Sequence, residues 1–138
     1  MNDQIMARLI EQNPDAMIFA DTDGKILVWN EAAERIFGFT KAGAIGESLD
    51  IIVPEKLREP HWRGYDEAIQ RRETKYVGKS MPTKAIHANG SIIYVELGFS
   101  IVLDSDDEVV GVLSSARDIT QKFKEERAKR EAQSDRAG

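Results

Sequence analysis

The chain of 138 residues has no cysteine. That one absence removes disulfides, thiolate chemistry, iron–sulfur clusters and zinc ribbons together. Only two histidines are present, His61 and His87, and they are not at the spacing of a helical ligand pair. Aromatic residues are scarce at 7%, the net charge is −5, and no basic patch dominates the body, so no direct nucleic-acid partner is expected. No segment approaches the roughly 20 consecutive apolar residues that cross a bilayer. The longest apolar run, Ile92 to Leu103, is broken by Glu96 and alternates like a strand. Asp3 and Glu11 stand where a signal peptide would need its apolar region. The expectation is a cytoplasmic module with no membrane segment in this chain. Catalytic patterns are absent too: there is no phosphate-cradling glycine loop, Gly43-Ala-Ile-Gly46 being only a loop, and no Ser-His-Asp constellation, so no enzymatic activity is expected.

What is present suits one domain with a modest core: 41% of residues are hydrophobic. Residues 2–12 pair Ile5 with Leu9 and Met6 with Ile10, one apolar helix stripe that stops before Pro14. Such a stripe either packs on the domain or lies between subunits. Two short apolar runs, Asp15 to Ala20 and Lys25 to Trp29, flank the turn Asp21-Thr-Asp-Gly24 and read as a hairpin. Asn30 is placed to cap a helix that buries Ala33, Ile36 and Phe37 and ends at Gly38. Residues 40–53 read as one or two brief helical turns, and a long helix follows over about 55–72. Thr74 to Ile86 is a strand made edge-like or bulged by Pro82. The Asn89-Gly90 turn and the polar turn at Asp104 to Asp107 join it to strands over 91–103 and 108–117, an antiparallel meander. From Thr120 the composition turns to Lys, Arg, Glu and Ala, a helix with little to bury beyond Phe123. It is either a frayed tail or a linker that pairs with its copy in a dimer.

The stretch from Pro54 to Met81 carries the candidate chemistry. Leu57, His61, Tyr65 and Ala68 share one helix face, so an imidazole sits in the middle of an apolar stripe. Gly64 lies on nearly the same side, where a helix-interior glycine costs roughly 1 kcal/mol against alanine, a cost that fits a need for room. His61 reads either as a packed, hydrogen-bonded ring or as an axial ligand to a heme iron. His87, beside the Asn-Gly turn, reads as solvated, and Trp29 and Trp62 read as packing anchors.

The ordered series DAMIFADTDGKILVWNEAAERIFGF (15–39), IGESLDIIVPEKL (45–57), the Asn-Gly-Ser turn at 89–91 with its strand, and RDIT (117–120) resembles a PAS domain over about 15–120. The resemblance implies an α+β fold: a five-stranded antiparallel sheet with helices cupping one face, as a single domain over 14–119. A flanking helix over 1–13 and a charged linker helix over 120–138 complete the division. It also implies a sensory or interaction role upstream of a histidine kinase, cyclase or other output domain. The segment PEKLREPHWRGY is similar to the helix of heme-binding PAS oxygen sensors, in which a histidine at the position of His61 is the proximal ligand of heme b. Those sensors carry an arginine on the next strand; the ungapped count reaches Met81 here, and a thioether cannot donate a hydrogen bond. With heme present, Met81 is a sixth iron ligand or an apolar distal wall; otherwise it fills the core. The flavin photosensor variant lacks its reactive cysteine here.

Two readings of function follow. In the first, the module binds heme b or another small apolar ligand in a cup lined by His61, Met81, Tyr65, Gly64, Leu57, Leu97 and Leu113, and passes the signal out through the helix after Thr120. In the second, it is a ligand-free homodimerisation module joined through 2–12 and 120–133, its core filled by Met17, Phe19, Tyr65, Met81 and Phe99.

Overall fold

The computed structural model describes residues 2–74 and 80–137. The Asp21 turn forms as its side chain dictates: the carboxylate accepts from the N–H groups of Asp23 and Lys25, both at 2.9 Å, and Gly24 takes φ +81° to close it. The turn joins β1 (Ala16–Ala20) to β2 (Ile26–Trp29). Asn30 then caps α2 (Glu31–Phe37), which ends at Gly38 with φ +82°. Two brief helical pieces follow, α3 (Lys41–Ala44) and a 3-10 turn (Leu49–Ile52), capped by the hydroxyls of Thr40 and Ser48. The long helix α4 (Glu55–Arg71) comes next, then the meander β3 (Met81–Ile86), β4 (Ile92–Leu103) and β5 (Val109–Asp118), and finally α5 (Thr120–Ala137). The first helix, α1 (Asp3–Glu11), precedes them all. The third strand expected over Thr74 to Ile86 is strand from Met81 onward, and the part of that expectation over 75–79 lies outside the described residues.

The sheet is antiparallel throughout, in the order β2-β1-β5-β4-β3. Pro82 therefore sits on an edge strand, where its missing N–H costs no ladder bond on the open side. Side chains alternate across the sheet. Ala16, Ile18 and Ala20 of β1, Val95 of β4, and Val112 and Ala116 of β5 form the buried face, covered by α2, α3 and α4. Met17 and Phe19 fall on the other parity. They point to the opposite face and do not fill the core, which corrects the core expected for a ligand-free module.

Asn30 does more than cap. Its side chain is fully buried and uses all four of its hydrogen-bonding positions. Oδ1 accepts from the N–H groups of Ala33 (3.0 Å) and Met17 (2.9 Å), and Nδ2 donates to the carbonyls of Ile10 (2.8 Å) and Asp15 (3.1 Å). One residue thereby ties α1, β1 and α2 together. Only the end of α1 is held in this way. Its apolar stripe of Ile5, Met6, Leu9 and Ile10 stays between 41% and 57% exposed, so it does not pack on the domain.

Candidate functional site

Between α4 and the inner sheet face lies an apolar cavity of about 520 Å³. That volume is within the usual range for small-molecule sites. Its sheet wall is built from the inward parity of three strands, with Met81 and Thr83 on β3, Leu97 and Phe99 on β4, and Val112 and Ser114 on β5. Its helix wall is the stripe read from the sequence: Leu57, His61, Gly64, Tyr65 and Ala68 all line it. The exposed members Leu57, Pro60, Arg63, Gly64, Arg71, Glu73 and Lys84 mark the open side, a rim of both charges.

The helix wall is fixed by two aromatic anchors beside His61. Trp62 Nε1 donates to Asp50 Oδ1 at 2.7 Å, and its ring packs so closely on Gly24 that a Cβ there would lie 2.1 Å from Cη2. The Tyr65 hydroxyl donates to the Asp21 carbonyl at 2.6 Å. Burial, with Asp21, Asp66 and Asp23 adding to it, pushes the Tyr65 phenol well above its ordinary range, so it stays a donor. Arg58 completes the clamp by donating through Nε to the Val53 carbonyl at 3.1 Å. Pro60 stands inside α4 and removes the N–H that would bond the Lys56 carbonyl, yet the helix continues through it.

His61 lies between these anchors, its ring centroid 4.6 Å from that of Trp62 and 5.8 Å from that of Tyr65. Burial lowers its pKa, and the more modest opposing pull of Asp50 does not reverse this. The ring is therefore neutral near pH 7, with a lone pair free for a ligand. Nδ1 is buried and has no hydrogen-bond partner among the described residues. The ring is packed between its two aromatic neighbours without a hydrogen bond from Nδ1 to any described residue. Gly64 is the second open feature: among the described residues a Cβ added there meets nothing within 4 Å.

Of the seven residues expected at the site, six come together on the cavity: His61, Met81, Tyr65, Gly64, Leu57 and Leu97. Leu113 does not. It pairs with Phe19 and Ser100 on the outer parity of the sheet, because β5 presents Val112 and Ser114 inward. On β5 the missed members are Val112 and Ser114; the inward parity of that strand, set by its pairing with β1, is the signal that finds them. His87 also departs from expectation. It is half-buried, its ring lies over Gly38, and its Nδ1 accepts from the Asn89 N–H at 3.1 Å, so it holds the β3–β4 turn and is not part of the cavity lining. Among the described residues no group of three His, Asp or Glu side chains is placed to hold a metal ion, and no helix is long and apolar enough to cross a membrane.

The exit from the sheet is equally specific. Tyr94, on the outer parity of β4, clamps the start of α5: its carbonyl accepts from the Ile119 N–H at 2.9 Å, and its N–H donates to Thr120 Oγ1 at 3.0 Å. Its ring stacks on Phe123 with centroids 3.9 Å apart and planes at 14°.

Comparison with known proteins agrees with this architecture. The family model described as "PAS fold" matches residues 4–119. The "Sensor protein FixL" of Bradyrhizobium diazoefficiens is 46% identical over 48 residues, which are 35% of this chain and 10% of that protein. The "Oxygen sensor protein DosP" of Escherichia coli is 24% identical over 100 residues, 72% of this chain and 12% of that protein. The chain thus spans only about a tenth of the length of these curated relatives. Among solved structures, the PAS domain of a protein from Colwellia psychrerythraea superposes with a TM-score of 0.74 at 23% identity, covering 86% of this chain and 97% of that one.

Proposed function

The chain belongs to the PAS family, and from that premise we propose that it is a sensory module whose cavity holds heme b with His61 as the axial ligand. The observation that carries the reading is a neutral, half-buried imidazole, that of His61, on the wall of an apolar cavity. The residues present fit the group. The imidazole is unprotonated, the hollow is apolar and of ligand size, and the open side at Gly64 leaves room for a flat ring. At the open side Arg63 and Arg71 are paired with Glu59 (2.8 Å) and Glu67 (2.7 Å), and Lys84 is the cation placed for a carboxylate such a ring carries. When bound, heme supplies an iron centre that takes up small exogenous ligands. His61 holds that group against α4, the clamp of Trp62 and Tyr65 keeps the ring in place, and the apolar sheet wall excludes water. Met81 is a thioether on that wall, available as a sixth ligand or as apolar lining. One curated relative bears the name oxygen sensor, which is consistent with this assignment.

The signal leaves through β4. Val95 and Leu97 face the cavity, and Tyr94 beside them holds the first turn of α5, so a shift of β4 moves the helix start. A ligand drives that shift only by its differential affinity for the two positions. The receiver is a histidine kinase, cyclase or other output domain. The exposed stripe of α1 supports a homodimer joined through 2–12 and 120–133. The deciding experiment is the visible spectrum of purified protein with added hemin: a Soret band is expected, and it should vanish in His61→Ala. A protein that ignores hemin leaves the reading as a ligand-free dimerisation module in its place. Met81→Ala should turn a low-spin ferrous spectrum high-spin if the thioether is a ligand. Truncation of 120–138 should weaken self-association by sedimentation.

A further inference from the structure

We infer that Ser114 is the hydrogen-bond donor that the sheet presents to the cavity's occupant, on the side opposite His61. The inference rests on the proposed occupancy of this cavity and adds to it the chemistry of the far wall. On β4 and β5 that wall consists of Val95, Leu97, Phe99 and Val112 with one hydroxyl, Ser114. Ser114 sits at the centre of the sheet, level with Ile18 of β1 and Phe99 of β4, and its inward neighbours along β5 are Val112 and Ala116. Its side chain has no hydrogen-bond partner among the described residues, and it escapes full burial because it opens onto the hollow.

A hydroxyl in such surroundings calls for a partner. Left unsatisfied among apolar groups it costs roughly 1–3 kcal/mol, and a valine at this strand position would pack a solid core better. The group that satisfies it comes from the cavity, as water when the hollow is open and as the occupant when it is filled. Met81 on the same wall offers only a weak acceptor. Thr83 also lines the cavity, but it lies on the edge strand beside exposed Lys84, where water reaches it. The central donor is Ser114, and the ligand it fits is one with a hydrogen-bond acceptor on its sheet-facing side. A small anion or diatomic molecule held opposite His61 has that form.

The test uses hemin-loaded protein with Ser114 as found and as Ser114→Ala, Ser114→Val and Ser114→Thr. The probes are carbon monoxide added to the reduced form and cyanide added to the oxidised form. The Ala and Val variants should raise the C–O stretching frequency and weaken cyanide binding by roughly two- to tenfold, the worth of one hydrogen bond, while Ser114→Thr, which keeps the hydroxyl, should restore both. A purely structural role would alter melting temperature without moving the stretching frequency. If the protein with Ser114 takes up hemin and the Ala variant matches it in both readouts, this inference falls and the heme reading stands. If that protein takes up no hemin, both fall together.

Discussion

The two ends of one sheet are built in opposite ways. At the β2–β1 end, Trp29 and Ile26 are wholly buried away from the cavity, and Asn30 fills every one of its hydrogen bonds. At the β4–β3 end, Leu97, Phe99 and Met81 face a hollow, and the helix that covers it carries an imidazole nitrogen with no hydrogen-bond partner among the described residues. Both ends come from the same alternation of apolar residues. The difference lies in what covers them. α2 is capped at both termini and seated by Asn30, whereas α4 begins at a proline with no side-chain cap and reaches the body through Trp62, Tyr65 and Arg58. The closed end supplies the stability that lets the open end stay hollow.

The comparison breaks first, if it breaks, on a pair of truncations. Trp29→Ala removes a buried ring and the bond from its Nε1 to the Phe39 carbonyl at 2.9 Å, and should cost roughly 3–5 kcal/mol. Leu97→Ala, on the cavity wall, removes a side chain that already faces space and should cost roughly 1 kcal/mol. Urea midpoints of the two variants read the contrast directly; equal losses would mean that the open end is as tightly packed as the closed one. Next in size is Asn30→Ala, which leaves the Met17 and Ala33 N–H groups and the Ile10 and Asp15 carbonyls to find other partners. A loss of about 3 kcal/mol is expected, with earlier proteolysis of residues 2–12 as a second readout.

Much of the closed end is legible in residues alone, because it is fixed by local chemistry. The Asp21 turn, the Asn30 cap and the Gly38 stop each rest on one side chain or one positive φ, and each forms where its sequence signal stands. The helical stripe of Leu57, His61 and Tyr65 was equally readable, since a period of 3.6 fixes a face without tertiary information. What sequence could not settle was parity. β5 carries apolar residues on both faces, Val110 and Val112 against Val109 and Leu113, so only its pairing with β1 decides that Ser114 looks inward and Leu113 outward. Met17 and Phe19 were misplaced for the same reason: Ala16, Ile18 and Ala20 are the smaller or equal competitors, yet they hold the core. Pro60 within α4 had no local signature of tolerance.

A pair of glycines sharpens the comparison with smaller effects. Gly111→Ala, where β5 meets β1, would place a Cβ 2.1 Å from the Ala20 carbonyl oxygen and 2.7 Å from the Phe19 ring, and should destabilise by about 1–3 kcal/mol. Gly64→Ala, on α4, meets nothing within 4 Å among the described residues and gains helix propensity, so it should stabilise the protein by about 1 kcal/mol. Thermal melts of the two should move in opposite directions. If Gly64→Ala stabilises the protein and also weakens hemin uptake, the room at that position serves the ligand; if uptake is unchanged, the glycine is merely tolerated.

The smallest effect is a slope with pH. Burial lowers the pKa of His61 from the ordinary imidazole value of 6.5, so the folded protein resists a proton that the unfolded chain accepts. Above about pH 6.5 both states hold the ring neutral and it contributes nothing to the pH dependence. As pH falls below that value the unfolded chain binds more protons, stability declines, and the decline stops once the folded ring is protonated as well. His61→Leu should lack this component, so the melting-temperature difference between the two proteins should shift in favour of the variant as pH is lowered from 7.5 towards about 5. His87 and the carboxylates are common to both and largely cancel. A difference that stays constant over that range would place the ring in an environment no worse than water. Iron and proton compete for the same lone pair, so hemin should release over a lower pH range than the slope of the unliganded protein, by the amount its binding stabilises the neutral ring.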